Sequence, residues 1–147
     1  MYIIADVEWV ENDLNQCSPT QLSAARVDEN WEIIDCFSSY IKPKDPSFYD
    51  WDHVAYIGGI SSNFQNAPHC FEVFRSFNKW VGRDTVCWWY GTSAKIHALV
   101  NRVVLKGKAP NQPIILSKYM PYFLNGKGAY RGSAYKIARD KKCCSCP

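Results

Sequence analysis

Two carboxylates stand two residues apart in the apolar segment that opens the chain, residues 2–10 with the sequence YIIADVEWV. If this segment is a strand, Asp6 and Glu8 project from the same face, because side chains alternate along a strand. Neighbouring carboxylates repel each other and lose hydration inside a sheet. A divalent cation offsets both costs, since Mg²⁺ and Mn²⁺ prefer hard oxygen ligands. The pair indicates a candidate metal site, and a solvated acidic face on an edge strand is the competing interpretation.

The composition is that of one globular domain. The chain has 147 residues, of which 47% are hydrophobic and 15% aromatic, which suits a single core and argues against disorder. No apolar stretch reaches membrane-spanning length and no signal peptide precedes the first strand, so we expect a soluble cytoplasmic protein. The seven cysteines include no CxxC pair, which predicts reduced thiols.

Charge is distributed unevenly along the chain. Residues 1–84 contain thirteen acidic and six basic side chains, whereas residues 85–147 contain eleven basic side chains and one acidic one, Asp140. A basic half predicts a polyanionic partner, most simply a nucleic acid. A solvated surface that merely lacks glutamate is the alternative.

The elements that must position the acidic pair begin as a meander. Residues 2–9, 20–27 and 31–41 are rich in β-branched, aromatic and small residues and are separated by short turn signals, which predicts three antiparallel strands. Residues 42–52 form a connection rich in proline and aspartate, and the glycines at 58 and 59 break the chain again.

Helical periodicity takes over from about residue 66. A helix is predicted up to Gly82, and its apolar stripe is Phe71, Phe74, Phe77 or Asn78, and Val81. Residues 85–90 predict a buried strand, 93–105 a helix and 113–116 a short strand, and 119–124 and 133–142 are candidate helices. The predicted stripe of the 93–105 helix consists of Ile96, Leu99, Val100 and Val103. The expected fold class is α/β, with a mixed sheet of a three-stranded meander and then α/β units, flanked by helices.

This order, with the acidic pair on the first strand, resembles the DEDD family of 3′–5′ exonucleases, the DnaQ-like or RNase T superfamily with a ribonuclease H-like fold. Asp6-Val7-Glu8 resembles the first motif of the family, Asp-x-Glu. Residues 24–28 and 33–43 resemble its next two strands and a loop that ends in Lys-Pro. Residues 59–61 resemble its Gly-Ile-Thr element, and residues 86–91 resemble the strand before its second motif.

The resemblance implies a function and a set of site residues. Four acids of the family bind two divalent cations, which activate water and stabilise the leaving 3′ oxygen of a single-stranded DNA or RNA. Asp6 and Glu8 would be ligands of Mg²⁺ or Mn²⁺. The 3′-terminal nucleotide would be held by Trp9, Gly59, Ile60 and Ser61. For Trp9, a place in the core is at least as well founded.

The chain departs from the family pattern at the second motif. The position of the second-motif aspartate, three residues after Gly91, is Ala94. His97 lies nearby. A metal ligand is one interpretation of this residue, and a histidine on the helix surface is the preferred one. A domain without this acid is expected to hold metal weakly. The alternative function is therefore a catalytically impaired module that binds nucleic acid or a protein partner, and a purely structural interaction module is a third reading.

The third motif, a histidine four residues before the last aspartate, is also missing in that form. Tyr135 and Asp140 could be a version with tyrosine in place of histidine, which would make Asp140 a catalytic acid. The preferred interpretation is that residues 132–139 are the preceding helix, so that the single domain of residues 1–147 is truncated before the motif arrives.

Overall fold

A three-stranded meander opens the chain, as predicted. The computed structural model describes residues 1–11, 16–44, 51–56, 61–104 and 114–116. Strands β1 (Tyr2–Glu11), β2 (Cys17–Val27) and β3 (Ile33–Tyr40) pair antiparallel in sequence order. The third strand is shorter than expected, because Trp31 lies before it with φ at 64°, a left-handed conformation that a strand does not accommodate.

Two short helices follow where the sequence predicts only a connection and a chain break. They are α1 (Trp51–Tyr56) and α2 (Ser61–Gln65). Helices of one to one and a half turns are too short to show a periodic apolar pattern, so sequence periodicity missed them. The remaining elements are α3 (Cys70–Val81), β4 (Thr85–Trp88), α4 (Gly91–Val104) and β5 (Ile114–Ile115).

The sheet has five strands within the described residues, in the order β3-β2-β1-β4-β5. Strand β1 is antiparallel to β2 and parallel to β4, and β4 is parallel to β5. This mixed sheet with helices confirms the predicted α/β class. Because β1 lies at the centre, the acidic pair is not on an edge strand, and that competing interpretation of the pair is wrong.

The core lies between one face of the sheet and the helices α3 and α4. Ile3, Ala5 and Val7 of β1 are fully buried there against Phe74 and Phe77 of α3. Asp6 and Glu8 alternate with these residues and leave the strand on the opposite face. Neither acidic side chain is therefore part of the aromatic core.

The predicted apolar stripes of the two long helices are confirmed in part. On α3, Phe74 and Phe77 are buried as predicted, whereas Phe71 is exposed and Val73 is buried instead. On α4, Ile96 and Val100 are buried as predicted, but Leu99 is 61% exposed. Apolar spacing misassigned Leu99 because the buried face of α4 also carries polar residues, namely Ser93, His97 and Asn101.

The end of α3 follows its sequence signal, whereas the end of β4 does not. Gly82 ends α3 with φ at 61°, and its N–H donates to the carbonyl of Asn78 at 3.2 Å. Strand β4 stops at Trp88, earlier than predicted, and Tyr90 is exposed. The predicted helices at 119–124 and 133–142 lie outside the described residues.

None of the helices in the described part of the chain is both long and apolar enough to cross a membrane. The cysteines found there, Cys17, Cys36, Cys70 and Cys87, are free thiols. This agrees with the predicted reduced state over those positions.

Candidate active site

Asp6 is the first residue of β1 beyond the part that pairs with the parallel strand β4. The pairing of β1 with β4 ends at Ala5 and Trp88, and the N–H of Trp89 donates to the carbonyl of Ala5 at 2.8 Å. The chain then turns through Tyr90 into α4. The carboxyl ends of parallel strands beside a helix N-terminus form a crevice, which is the usual place for a ligand in an open α/β sheet.

Ser93, in the first turn of α4, holds the Asp6 carboxylate. Its Oγ donates to Asp6 Oδ1 at 2.6 Å and accepts a hydrogen bond from the N–H of Val7 at 3.3 Å. The same N–H also lies 3.0 Å from Asp6 Oδ1. Ser93 is fully buried and Asp6 is 5% exposed. Both hydrogen bonds to the Asp6 carboxylate are made to Oδ1.

Replacing Ser93 with alanine should destabilise the protein. The hydrogen bond is short, buried and made to a carboxylate, so its loss should lower the free energy of unfolding by about 1.5–3 kcal/mol. The measurement is urea unfolding at pH 8 in EDTA. Thr92→Ala removes a neighbouring exposed hydroxyl and serves as the control. Equal losses in the two variants would contradict the role of Ser93.

Burial raises the pKa values of both acids. The pKa of Asp6 rises from 3.8 to about 6, since desolvation outweighs its hydrogen bonds from Ser93 and from the N–H of Val7. The pKa of Glu8 rises from 4.5 to about 7, because of burial first and the charge of Asp6 second. Ionising two neighbouring buried acids is unfavourable unless a positive charge lies close to them.

The pair fits a divalent cation in kind, since both residues offer hard oxygen donors whose charges repel each other. The number of carboxylates suits one ion. Within the described ranges no three histidine, cysteine, aspartate or glutamate side chains come together as a metal cluster. The two carboxylates carry a charge of −2, which balances a single Mg²⁺ or Mn²⁺.

A cleft of about 620 Å³ opens beside this end of the sheet. This volume is in the range of small-ligand sites. Aromatic and aliphatic side chains line most of it, and Lys95 supplies a positive charge. Its walls are formed by Trp9, Tyr90, Gly91, Thr92, Ala94, Lys95, Ala98 and Ile115.

A register shift of the β-bulge type lies between Glu8 and Trp9, and Trp9 lines the cleft. The register between β1 and β2 shifts between Glu8 and Trp9, so Glu8 faces Gln21 while Trp9 faces Pro19. Bulges redirect side chains and are frequent beside active sites. Trp9 is half-buried, packs against the core and also lines the cleft. Both interpretations of Trp9 from the sequence are therefore compatible with its position.

Ala94 also lines the cleft, one residue beyond the serine that contacts Asp6. It is 4% exposed. The position that corresponds to the second-motif aspartate is therefore adjacent in sequence to the serine that contacts Asp6, but it contributes a methyl group instead of an oxygen ligand.

His97 is a core residue, which corrects the expected surface position. Its ring packs against Trp88, Phe74 and Phe77, with the Trp88 centroid 4.7 Å away. Its Nε2 lies 3.1 Å from Asn78 Oδ1 and 2.8 Å from Asn101 Nδ2. Burial lowers the pKa of His97 to about 4, so the ring is neutral. His97 therefore packs between α3 and α4, where Asn78 and Asn101 contact its ring.

Several predicted site residues cannot be placed. Gly59, Ile60 and Asp140 lie outside the described residues, and only the backbone of Ser61 is described, as the first residue of α2. Nearly all the basic residues of the second half lie outside as well, apart from Lys95 and Arg102, which are exposed on α4. Sequence reasoning missed Ser93. A serine in the first turn of a helix usually signals capping, and nothing in the sequence showed that it faces Asp6.

Solved structures with this fold include several 3′ exonucleases. The nuclease domain of 3′hExo, a DEDDh family member bound to rAMP, has a TM-score of 0.63 and 13% identity, covering 84% of this chain and 70% of that one. A full-length 3′-exonuclease gives 0.69 and 13%, covering 97% and 76%. E. coli Exonuclease I in complex with a dT13 oligonucleotide gives 0.63 and 15%, covering 86% and 30%.

Neither a protein-family profile nor a curated protein matches the chain. At these identities the structural likeness establishes the fold. The chain has the ribonuclease H-like fold of the DEDD exonucleases, as the strand order and the Asp-x-Glu motif predict.

Proposed function

We propose that this chain is an exonuclease-type domain that binds the 3′ end of a single-stranded nucleic acid and hydrolyses it with divalent cations. The position of Asp6 and Glu8 carries the proposal. They are two carboxylates on the central strand, and Trp9, the next residue of that strand, lines a cleft of about 620 Å³. The shared fold supports it, since structures with this fold are bound to rAMP or to a dT13 oligonucleotide.

Each residue of the site would have a separate role in this reaction. Asp6 and Glu8 would hold Mg²⁺ or Mn²⁺, which supplies charge to activate water and to stabilise the leaving 3′ oxygen. Ser93 orients Asp6 through its hydrogen bond. Trp9 and Tyr90 offer aromatic faces to a base, and Lys95 offers a positive charge to a phosphate.

Two further assignments rest on the resemblance alone. The segment Gly59-Ile60-Ser61 is proposed to contact the terminal nucleotide, and Asp140 is proposed as a catalytic acid. The nucleic acid is single-stranded DNA or RNA, and parallel assays on both distinguish these substrates.

The direct test is a cleavage assay with 5′-labelled single strands in Mn²⁺ at pH 8, where both acids are ionised. The expected product is a ladder shortened from the 3′ end, and a strand blocked at its 3′ end should stay intact. Asp6→Asn should slow shortening by about 100-fold, as loss of a metal contact does. This variant should keep its fold, because Ser93 can still donate to the amide oxygen. Cleavage unaffected by Asp6→Asn would contradict the proposal.

Ala94 favours a second candidate, an impaired exonuclease-fold module that binds nucleic acid or a protein partner. With a methyl group at the second-motif position, the described residues supply two carboxylates instead of three. The expected signature is strand binding that weakens steeply with salt, without shortening. Fluorescence anisotropy at increasing salt, run beside the cleavage assay, distinguishes the two candidates.

A further inference from the structure

Gln21 of β2 carries a buried oxygen that has no partner among the described residues. The residue is 2% exposed, and its Oε1 makes no hydrogen bond within that part of the chain. The other unpaired buried atom found there, Arg26 Nε, lies 2.9 Å from Asp84 Oδ2 and so faces a charge. Buried polar atoms in folded proteins are nearly always paired, so this acceptor points to a partner that the described residues do not supply.

The position of Gln21 indicates which partner this is. Gln21 is directly opposite Glu8 in the register of β1 and β2. Opposed residues of antiparallel strands project from the same face, and Asp6 shares that face two residues away. An amide oxygen and two carboxylates therefore occupy neighbouring positions. All three act as acceptors, so none can satisfy another without a proton or a cation between them.

We propose that Gln21 Oε1 is the third protein oxygen of a single divalent-cation site formed with Asp6 and Glu8, contacting the ion directly or through one of its waters. The inference rests on the proposed function, because it needs the ion that the two carboxylates hold. Amide carbonyls are accepted oxygen ligands of hard cations. A neutral third ligand also leaves the site at −2, the charge that one dication balances, whereas Ala94 adds neither charge nor oxygen.

Mn²⁺ affinity tests the inference without reference to activity. It is measured by electron paramagnetic resonance of free Mn²⁺ and by the Mn²⁺-induced rise in melting temperature. Gln21→Leu keeps the bulk and removes the oxygen, so its dissociation constant should rise about tenfold. Its melting temperature in EDTA should equal or exceed that of the wild type, because the orphaned oxygen is gone. Gln21→Glu should bind Mn²⁺ at least as tightly as the wild type.

Ser23→Ala is the matched control, since Ser23 lies on the same face of β2 opposite Asp6 and contacts the hydroxyl of Ser38 at 3.3 Å. Its Mn²⁺ affinity should be unchanged. Wild-type affinity in Gln21→Leu, or weakened affinity in Gln21→Glu, overturns the inference and leaves the proposed function intact. If neither the wild type nor Ser23→Ala binds Mn²⁺, the metal part of the proposed function fails, and the inference fails with it.

Discussion

Ala94→Asp should increase the rate of 3′-end shortening in Mn²⁺ by about 100-fold, the inverse of what removing a metal contact does. The substitution places a carboxylate in the cleft wall, one residue after Ser93, which touches Asp6. A third acid there would let the site hold more positive charge against the anionic phosphodiester.

The same substitution should destabilise the protein when no metal is present. Ala94 is 4% exposed, so a carboxylate there is desolvated and unpaired. We expect the variant to lose several kcal/mol of unfolding free energy in EDTA and to recover much of it when Mn²⁺ is added. Thermal unfolding with and without Mn²⁺ measures both changes, and circular dichroism shows whether the metal-bound variant is folded.

The chain offers a matched control for this experiment. Ala98 is one helical turn further along α4 and lines the same cleft. Ala98→Asp therefore adds an identical charge to the same cleft at a different distance from the acidic pair, and it should not increase the rate. Equal rates in the two variants, or no gain in Ala94→Asp when it is folded with Mn²⁺, would exclude the position as a second-motif site.

Asp6→Asn should stabilise the metal-free protein, and the gain should grow with pH. The folded protein holds the Asp6 proton up to a pKa of about 6, whereas the unfolded chain releases it near 3.8. Unfolding free energy therefore falls as the pH rises through this window, and the loss is complete above it. At 1.36 kcal/mol per pKa unit, the variant should gain on the order of 3 kcal/mol over the wild type.

The comparison with a variant is needed because His97 acts in the opposite direction. Its pKa is lowered from 6.5 to about 4, so its neutral, buried form adds stability as the pH rises between those values. Both proteins contain His97, so its contribution cancels in their difference. Urea unfolding in EDTA at pH 4, 6 and 8 gives the three differences.

Adding Mn²⁺ at pH 8 should reverse part of this difference, because the ion binds the wild type more tightly than Asp6→Asn. A difference that stays constant between pH 4 and pH 8 in EDTA would show that Asp6 is not desolvated. A difference that Mn²⁺ leaves unchanged would show that Asp6 does not bind the ion.

The front of the fold was predictable because its signals are local. The apolar segment at residues 2–9 marked β1, and short turns fixed the order of β1, β2 and β3. The glycine at position 82 marked the end of α3 because its φ of 61° suits a residue without a side chain. The acidic pair was found because two charges within an apolar strand are conspicuous without any tertiary information.

The features that the sequence did not predict depend on contacts between segments that are distant in sequence. Ser93 and Asp6 are 87 residues apart, and only the folded sheet brings them to 2.6 Å. His97 was misplaced because a polar residue between apolar ones reads as surface, whereas Asn78 and Asn101 satisfy its ring in the core. Gln21 has no local signal, since its meaning comes from the strand register that sets it opposite Glu8.

The β-bulge after Glu8 bears on how related chains can diverge. Residues 2–8 are locked in register with β2 from Val27 back to Gln21, whereas the pairs beyond the bulge follow a shifted register. Insertions or deletions in the connection between β1 and β2 can therefore be absorbed beyond the bulge, without moving the acidic pair. The length of this connection can differ among related chains while the position of Asp6 and Glu8 in the sheet stays the same.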